Sequence, residues 1–207
     1  MKDPNQVRSP LAMVVLALLV EAPMHAYRMQ RLIRERGKDT VVNVAQRNSV
    51  YQALSTLLRK GLIRVRETIR EGGRPERTLY EITEEGSATF YAWLRSMLST
   101  PVREFPVFPA AVSFMMVLTP DDVARQLSAR ATALGEKLAA SRAAVKAARS
   151  NGLPRLFLLE DEYRQAMMRA EIDWLASVIA DLRSKKITWS KDWIRKVAEA
   201  AERGPAV

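Results

Sequence analysis

Two short stretches with a period of two interrupt a chain whose other patterned segments have helical spacing. Leu62-Ile-Arg-Val-Arg-Glu67 and Thr78-Leu-Tyr-Glu-Ile82 alternate apolar with polar residues, and Thr68-Ile-Arg-Glu-Gly-Gly-Arg-Pro-Glu-Arg77 lies between them. Two alternating runs around Gly-Gly and Pro predict a β-hairpin with a long tip. One hairpin among helices sets the class as mostly α, and the segments on either side fix where the hairpin is inserted.

Ser9-Pro10 followed by the ten-residue run Leu11 to Val20 has the form of an N-cap, a first-turn proline and a helix apolar nearly all round, which should be buried. Pro23 breaks it. A second helix is expected from about His25 to Arg36, carrying Tyr27, Met29, Leu32 and Ile33 as its apolar residues, with Arg28, Arg31, Arg34 and Arg36 outward and Gly37 as its stop. A third is expected from about Asn48 to Lys60, where Val50, Leu54, Leu57 and Leu58 form a buried stripe. Its other face carries Ser49, Gln52, Ser55, Thr56 and Arg59. Short polar side chains are weak helix formers, so something other than propensity placed them there. After the hairpin, Thr83 caps a fourth helix running to about Leu98, with Glu84 and Glu85 in its first turn and Phe90, Tyr91, Trp93 and Leu94 along it. Helix, helix, helix, hairpin, helix is the order of a winged helix-turn-helix, whose third helix enters the DNA major groove while the hairpin tip follows the backbone.

The charge distribution agrees. The 207-residue chain carries a formal net charge of +10, and residues 25–77 hold thirteen Lys and Arg against five Asp and Glu. Cations gathered on a compact element are the footprint of a phosphate-backbone partner, because each neutralised phosphate releases a condensed counterion. Cysteine is absent, which excludes disulfide scaffolds, thiolate metal sites and Cys nucleophiles, and the single histidine, His25, argues against His-based metal clusters and catalytic triads. Glu160-Asp-Glu162 is the one tight acidic cluster, and at the head of a helix it reads as dipole compensation. No enzyme, metal or cofactor is expected. The apolar run at 11–20 is too short for a membrane span and lacks a signal-peptide pattern, so a cytoplasmic protein is expected.

Three prolines at 101, 106 and 109 mark residues 99–109 as a linker between a domain at 1–98 and a second at 110–207. Beyond it a short helix is expected at 110–117. Thr119-Pro-Asp-Asp122 then starts a long helix to about Ser150 with Val123, Leu127, Ala131, Leu134, Leu138, Val145 and Ala148 in a heptad-like seam. A last long helix, about Arg155 to Lys186, shows Leu156, Leu159, Tyr163, Met167, Ala170, Trp174, Val178 and Leu182. Two such helices predict an α-helical dimerisation domain, with Leu127, Leu134, Leu138, Tyr163, Trp174, Val178 and Leu182 as the contact residues. A further short helix is expected beyond 184.

The chain resembles the PadR family of bacterial transcriptional regulators. Leu16-Ala-Leu-Leu-Val-Glu-Ala-Pro-Met-His-Ala-Tyr27 is similar to that family's L-x-L-L-x-x-x-P-x-H-G-Y. Ser49-Val-Tyr51, Leu54, Leu57, Gly61-Leu-Ile63 and Tyr80-Glu-Ile-Thr-Glu-Glu-Gly86 follow in the family's order. Ala26 departs from its usual Gly. The second half resembles the longer, AphA-like branch, through Thr119-Pro-Asp-Asp122 and Arg169-Ala-Glu-Ile-Asp-Trp-Leu175.

The resemblance implies a homodimeric repressor on an inverted-repeat operator. Arg47, Asn48, Ser49, Tyr51 and Gln52 would form the start and exposed face of the recognition helix, and Arg74 and Arg77 the wing contacts. Ser49 and Tyr51 would donate to phosphates while Asn48 and Gln52 reach base edges. His25 reads first as a helix-start residue bonded to nearby backbone, and second as a pH sensor. Phe90, Trp93 and Trp174 are candidates for stacking a small aromatic effector, against the plainer reading that they fill the interior. A nonspecific, nucleoid-type DNA binder is the alternative, since charge alone does not separate the two.

Overall fold

The computed structural model describes residues 9–44, 49–69 and 77–202. The chain divides into two compact units, Met1–Arg103 and Glu104–Val207. Among the described residues no helix is long and apolar enough to cross a membrane.

In the first unit, α1 (Pro10–Glu21) starts where the Ser9 hydroxyl accepts from the Ala12 amide at 3.3 Å, with Pro10 in the first turn. Ala12, Val15, Leu16, Leu18 and Leu19 are buried, so this helix forms the centre of the core. β1 is only Met24–His25. α2 spans Ala26–Glu35 and ends before Gly37, which takes the left-handed φ of 64° that side chains disfavour. A short 3₁₀ turn, Lys38–Thr40, follows. α3 (Ser49–Arg59) buries Val50, Leu54 and Leu57 of the predicted stripe, and Leu58 is partly buried against the same core.

β2 (Ile63–Ile69) and β3 (Arg77–Ile82) pair antiparallel, with a register shift between Val65 and Glu67. The sheet has a third strand: β1 pairs with the other edge of β3, Met24 opposite Tyr80 and His25 opposite Leu79, giving the order β1-β3-β2. The sequence reading started the second helix at about His25; the structure makes His25 the N-cap residue of α2 and the last residue of β1. Two residues are too few to show a period, and only their pairing makes them a strand.

α4 (Glu84–Ser99) is tied to the α3–β2 connection through one residue. The Thr83 amide donates to the Leu62 carbonyl at 3.1 Å, its hydroxyl donates to the Gly61 carbonyl at 2.8 Å, and the same oxygen accepts from the Gly86 amide at 3.0 Å. Gly86 is buried against this junction. A Cβ there would lie 1.8 Å from the Leu62 carbonyl oxygen. Phe90 packs in the same core as α1, with Trp93 and Leu94 partly buried against it.

In the second unit, α5 runs Val107–Ser113 and a 3₁₀ turn covers Met115–Val117. The helix therefore begins inside the stretch read as linker and ends earlier than expected. Pro109 fits because the first-turn amides of a helix have no intrahelical acceptor. α6 (Pro120–Ser150) starts at Thr119, whose hydroxyl accepts from the Asp122 amide at 3.3 Å. After a 3₁₀ turn at Arg155–Leu158, α7 spans Leu159–Arg183, and α8 spans Lys191–Glu202. The first part of the α6 seam is packed within the unit: Val123 and Leu127, with Ala124, are buried in one cluster with Leu175, Ile179 and Leu182 of α7, and Ala131 and Leu134 pack partly against it.

α7 thus has two apolar stripes, roughly a third of a turn apart around the helix. Leu158, just before it, and Leu175, Ile179 and Leu182 are buried, together with Gln165, whose amide nitrogen donates to the Ser141 hydroxyl at 3.0 Å. Leu156, also just before it, and Leu159, Tyr163, Met167 and Trp174 are exposed.

Candidate nucleic-acid interface

The apolar side of α3 is anchored in the core by Val50, Leu54 and Leu57, which leaves Tyr51, Gln52, Ser55 and Arg59 exposed on the other. Tyr51 is 51% exposed, and Ser49, at the helix start, is half-buried. An exposed tyrosine, amide, hydroxyl and guanidinium on one helix face is a set of donors suited to phosphates and base edges. Arg47, Asn48 and Arg74 lie outside the described residues. Arg77 is placed by its backbone, as the first residue of β3 opposite Ile69.

A cleft of about 460 Å³ opens where β1 passes into α2 beside the start of α3 and strand β3. His25, Ala26, Tyr27, Arg28, Tyr51, Thr78 and Tyr80 line it. Tyr27, 72% exposed, and Arg28 come from the first turn of α2, whose amides point their partial positive charge outward. The sequence reading assigned no contact to Tyr27, Arg28 or Tyr80. Their signal was present in the His25-Ala-Tyr27 and Tyr80-Glu-Ile82 segments, but only the β1–β3 pairing sets these segments side by side.

His25 is held by its Nδ1, which lies 2.9 Å from the Thr78 carbonyl oxygen. A carbonyl only accepts, so Nδ1 carries the proton. The residue is bonded to backbone as the plainer sequence reading expected, although to a strand 53 positions away rather than to its own helix.

Several of the cations in this unit are spent on local ion pairs. Arg36 grips Glu21 through both guanidinium nitrogens at 2.5 and 2.8 Å, and that hydrogen bond holds the Glu21 carboxyl below the usual carboxylate range. Glu81 meets Arg64 at 2.6 Å and Arg66 at 3.7 Å, and Arg31 lies 3.4 Å from Glu35. Arg28, Arg34, Arg59 and Lys60 make no ion pair among the described residues. Among the described residues of α2, of α3 and of the turn that follows it, the positive charge outside ion pairs is therefore that of Arg28, Arg34, Arg59 and Lys60.

The other predicted positions fall elsewhere. Leu127, Leu138 and Leu182 are buried, Leu134 and Val178 partly so, all within the second unit. Tyr163 (66%) and Trp174 (41%) are exposed. Of the residues proposed to stack an effector, Phe90 is 7% exposed in the first unit's core and Trp93 packs on that core. Trp174 stands edge-on to Phe108, ring centroids 5.9 Å apart, in the second unit. The Arg130 guanidinium stacks 3.7 Å from the other ring of that pair, Phe108, and reaches Glu171 at 2.5 Å.

Residues 15–92 match the model of the transcriptional regulator PadR-like family, a family of DNA-binding regulators rather than enzymes. No curated protein matches the chain significantly. Among solved structures, Bacillus subtilis PadR in complex with operator DNA is similar at a TM-score of 0.63 and 19% identity, covering 83% of this chain and 98% of that one. The same regulator in complex with p-coumaric acid is similar at 0.63 and 16% identity, covering 84% and 98%. The Vibrio cholerae virulence activator AphA is similar at 0.63 and 19% identity, covering 84% and 99%. The shared architecture is a mostly α chain with a winged helix-turn-helix and a helical C-terminal region.

Proposed function

From the match of residues 15–92 to the transcriptional regulator PadR-like family, we propose that the protein is a homodimeric, cytoplasmic repressor that reads an inverted-repeat operator. The observation that carries the DNA reading is the exposed polar face of α3 beside the cleft that gathers Tyr27, Arg28 and Tyr51. Ser49, Tyr51 and the wing residues Arg74 and Arg77 bind phosphate in this reading, and Gln52 with Asn48 reads base edges.

The outer stripe of α7 supports the dimer. Tyr163, Met167 and Trp174 are exposed on a stripe of α7 beside the one already packed against α6, and Leu156 is exposed in the turn before it. A contiguous apolar stripe on a lone chain marks an association surface. A second copy is the partner that such a symmetric half-site reader requires, since two recognition helices must sit about one helical turn of DNA apart. The dimer contact is then made by Tyr163 and Trp174, while Leu127, Leu138 and Leu182 hold the helix pair that presents them.

Selection of bound duplexes from a random pool tests this reading. Recovery of an inverted repeat bound at least about 10³-fold more tightly than random DNA supports a specific regulator. Equal affinity for all duplexes identifies a nonspecific architectural protein instead. Light scattering of the free protein checks the dimer. A p-coumaric acid titration followed by tryptophan fluorescence checks for an aromatic effector of the type bound by B. subtilis PadR.

A further inference from the structure

We propose that the cleft at the start of α2 seats one backbone phosphate of the duplex, and that filling it draws a proton onto His25. The proposal rests on the DNA-binding reading above and names a site and a linkage that reading does not contain. Three observations carry it. Among the described residues, the cleft is lined by one guanidinium, Arg28, by Tyr27, Tyr51 and Tyr80, and by the amide end of α2, and none of these is a carboxylate. That is a donor set for an anion. It also includes Tyr51 of α3, so a phosphate held there lies where the recognition helix meets the backbone.

The third observation is the His25 bond to Thr78. Nδ1 donates to that carbonyl, so Nε2 is the ring nitrogen left to meet a ligand in the cleft. In the neutral ring Nε2 presents a lone pair, which a phosphate oxygen repels. In the protonated ring it presents a second N–H, which the phosphate oxygen accepts. The proton comes from solvent, and no covalent bond changes.

The neighbours of the ring do not oppose this. Among the described residues, the cleft it lines is shared with Tyr27 and Arg28 of α2, Tyr51 of α3, and Thr78 and Tyr80 of β3. A phosphate bound in the cleft offsets the charges of Arg28 and of the protonated ring together. On β2, Glu67 stands across β3 from Leu79 but does not line the cleft. Glu81 is occupied by Arg64 and Arg66, and Glu21 by Arg36.

The linkage has a definite sign. A proton bound more tightly in the complex than in the free protein makes affinity rise as pH falls, by at most about tenfold per pH unit for one group. The test uses the full chain and a random-sequence 30-base-pair duplex, because phosphate contacts do not depend on sequence. Binding is followed by anisotropy between pH 6.0 and 8.0 at fixed salt, with calorimetry in two buffers of different ionisation enthalpy to count protons. The wild type should bind about five- to tenfold more tightly at pH 6.0 than at 7.5 and take up a fraction of a proton. His25→Asn keeps a donor amide where Nδ1 sits but has nothing to titrate, so its affinity should not change with pH and its proton uptake should vanish. Arg28→Gln should reduce the salt slope by about one phosphate contact.

A wild type whose affinity is flat with pH, a His25→Asn variant that keeps the wild-type slope, or an Arg28→Gln variant with an unchanged salt slope overturns the proposal. Failure of the wild type to bind any duplex overturns the DNA-binding reading itself, a different result from binding without proton uptake.

Discussion

Two glycines inside helices should respond to the same substitution with opposite signs. Gly86 sits in the first turn of α4, buried, and an alanine Cβ there would lie 1.8 Å from the Leu62 carbonyl oxygen, 2.8 Å from the Leu62 carbonyl carbon and 2.9 Å from Ile82 Cγ1. The nearest atoms are backbone. Leu62 cannot retreat alone, because its carbonyl accepts the Thr83 amide and the adjacent Gly61 carbonyl accepts the Thr83 hydroxyl. Overpacking of this kind costs about 1–3 kcal/mol, and contact with fixed backbone puts it at the upper end. The helix-propensity gain of alanine over glycine, at most about 1 kcal/mol in a helix interior, is smaller in a first turn. The net expectation for Gly86→Ala is a loss of about 2 kcal/mol. For a unit of about 100 residues that lowers Tm by roughly 8–16 °C.

Gly135 lies in the interior of α6 with nothing within 4 Å of where its Cβ would be. Only the propensity term applies, so Gly135→Ala should stabilise the second unit by up to about 1 kcal/mol, raising its transition by roughly 4–8 °C. Differential scanning calorimetry of the whole chain reads both, since each substitution falls in a different unit. An unchanged or raised transition for Gly86→Ala would show that the junction relaxes freely, and the close-approach argument would fail. A lowered transition for Gly135→Ala would refute the claim of open space on α6.

Further predictions concern packing, acid stability and base reading. Leu175, with no exposure, is central to the α6–α7 contact, so Leu175→Ala should cost about 2–5 kcal/mol in urea unfolding, whereas Tyr163→Ala on the outer stripe should leave unfolding of the unassociated chain nearly unchanged and weaken self-association in sedimentation. Glu162 is held below the usual carboxylate range first by its hydrogen bond from Arg155 and also by Arg149. That pairing contributes above the ordinary carboxyl value of 4.5 and is lost as pH falls below it, so Glu162→Gln should flatten the acid limb of a Tm-against-pH curve. Gln52→Ala should weaken binding to a selected operator by about 1–3 kcal/mol while leaving affinity for random duplexes close to wild type, as expected of a base contact.

Much of this architecture is readable along the chain because its signals are local. Ser9-Pro10, Thr83 and Thr119-Pro120 each cap the helix they precede, and the stripe Val50, Leu54, Leu57 is the buried side of α3. The exposed face of α3 follows from that stripe by subtraction. What escapes is whatever depends on pairing between distant segments. β1 is a strand only through Tyr80 and Leu79. The choice between the two stripes of α7 is also not local: Leu156, Tyr163, Met167 and Trp174 are as regular as the buried set, and the contact with α6 selects the other stripe. Phe90 and Trp93, read as ligand-stacking candidates on aromatic character, pack on the core laid down by α1.

The sequence by itself determined the helix order, the hairpin between the third and fourth helices and the concentration of cations on residues 25–77, because capping residues, apolar periods and charge are properties of neighbours in the chain. The tertiary structure alone decided which of those cations are spent on Glu21 and Glu81, which face of α7 is left outward, and that His25 is bonded to Thr78 beside Tyr51. Ion pairs, helix-to-helix packing and a cleft between strands each need groups far apart in sequence to meet, and only the folded backbone fixes where they meet.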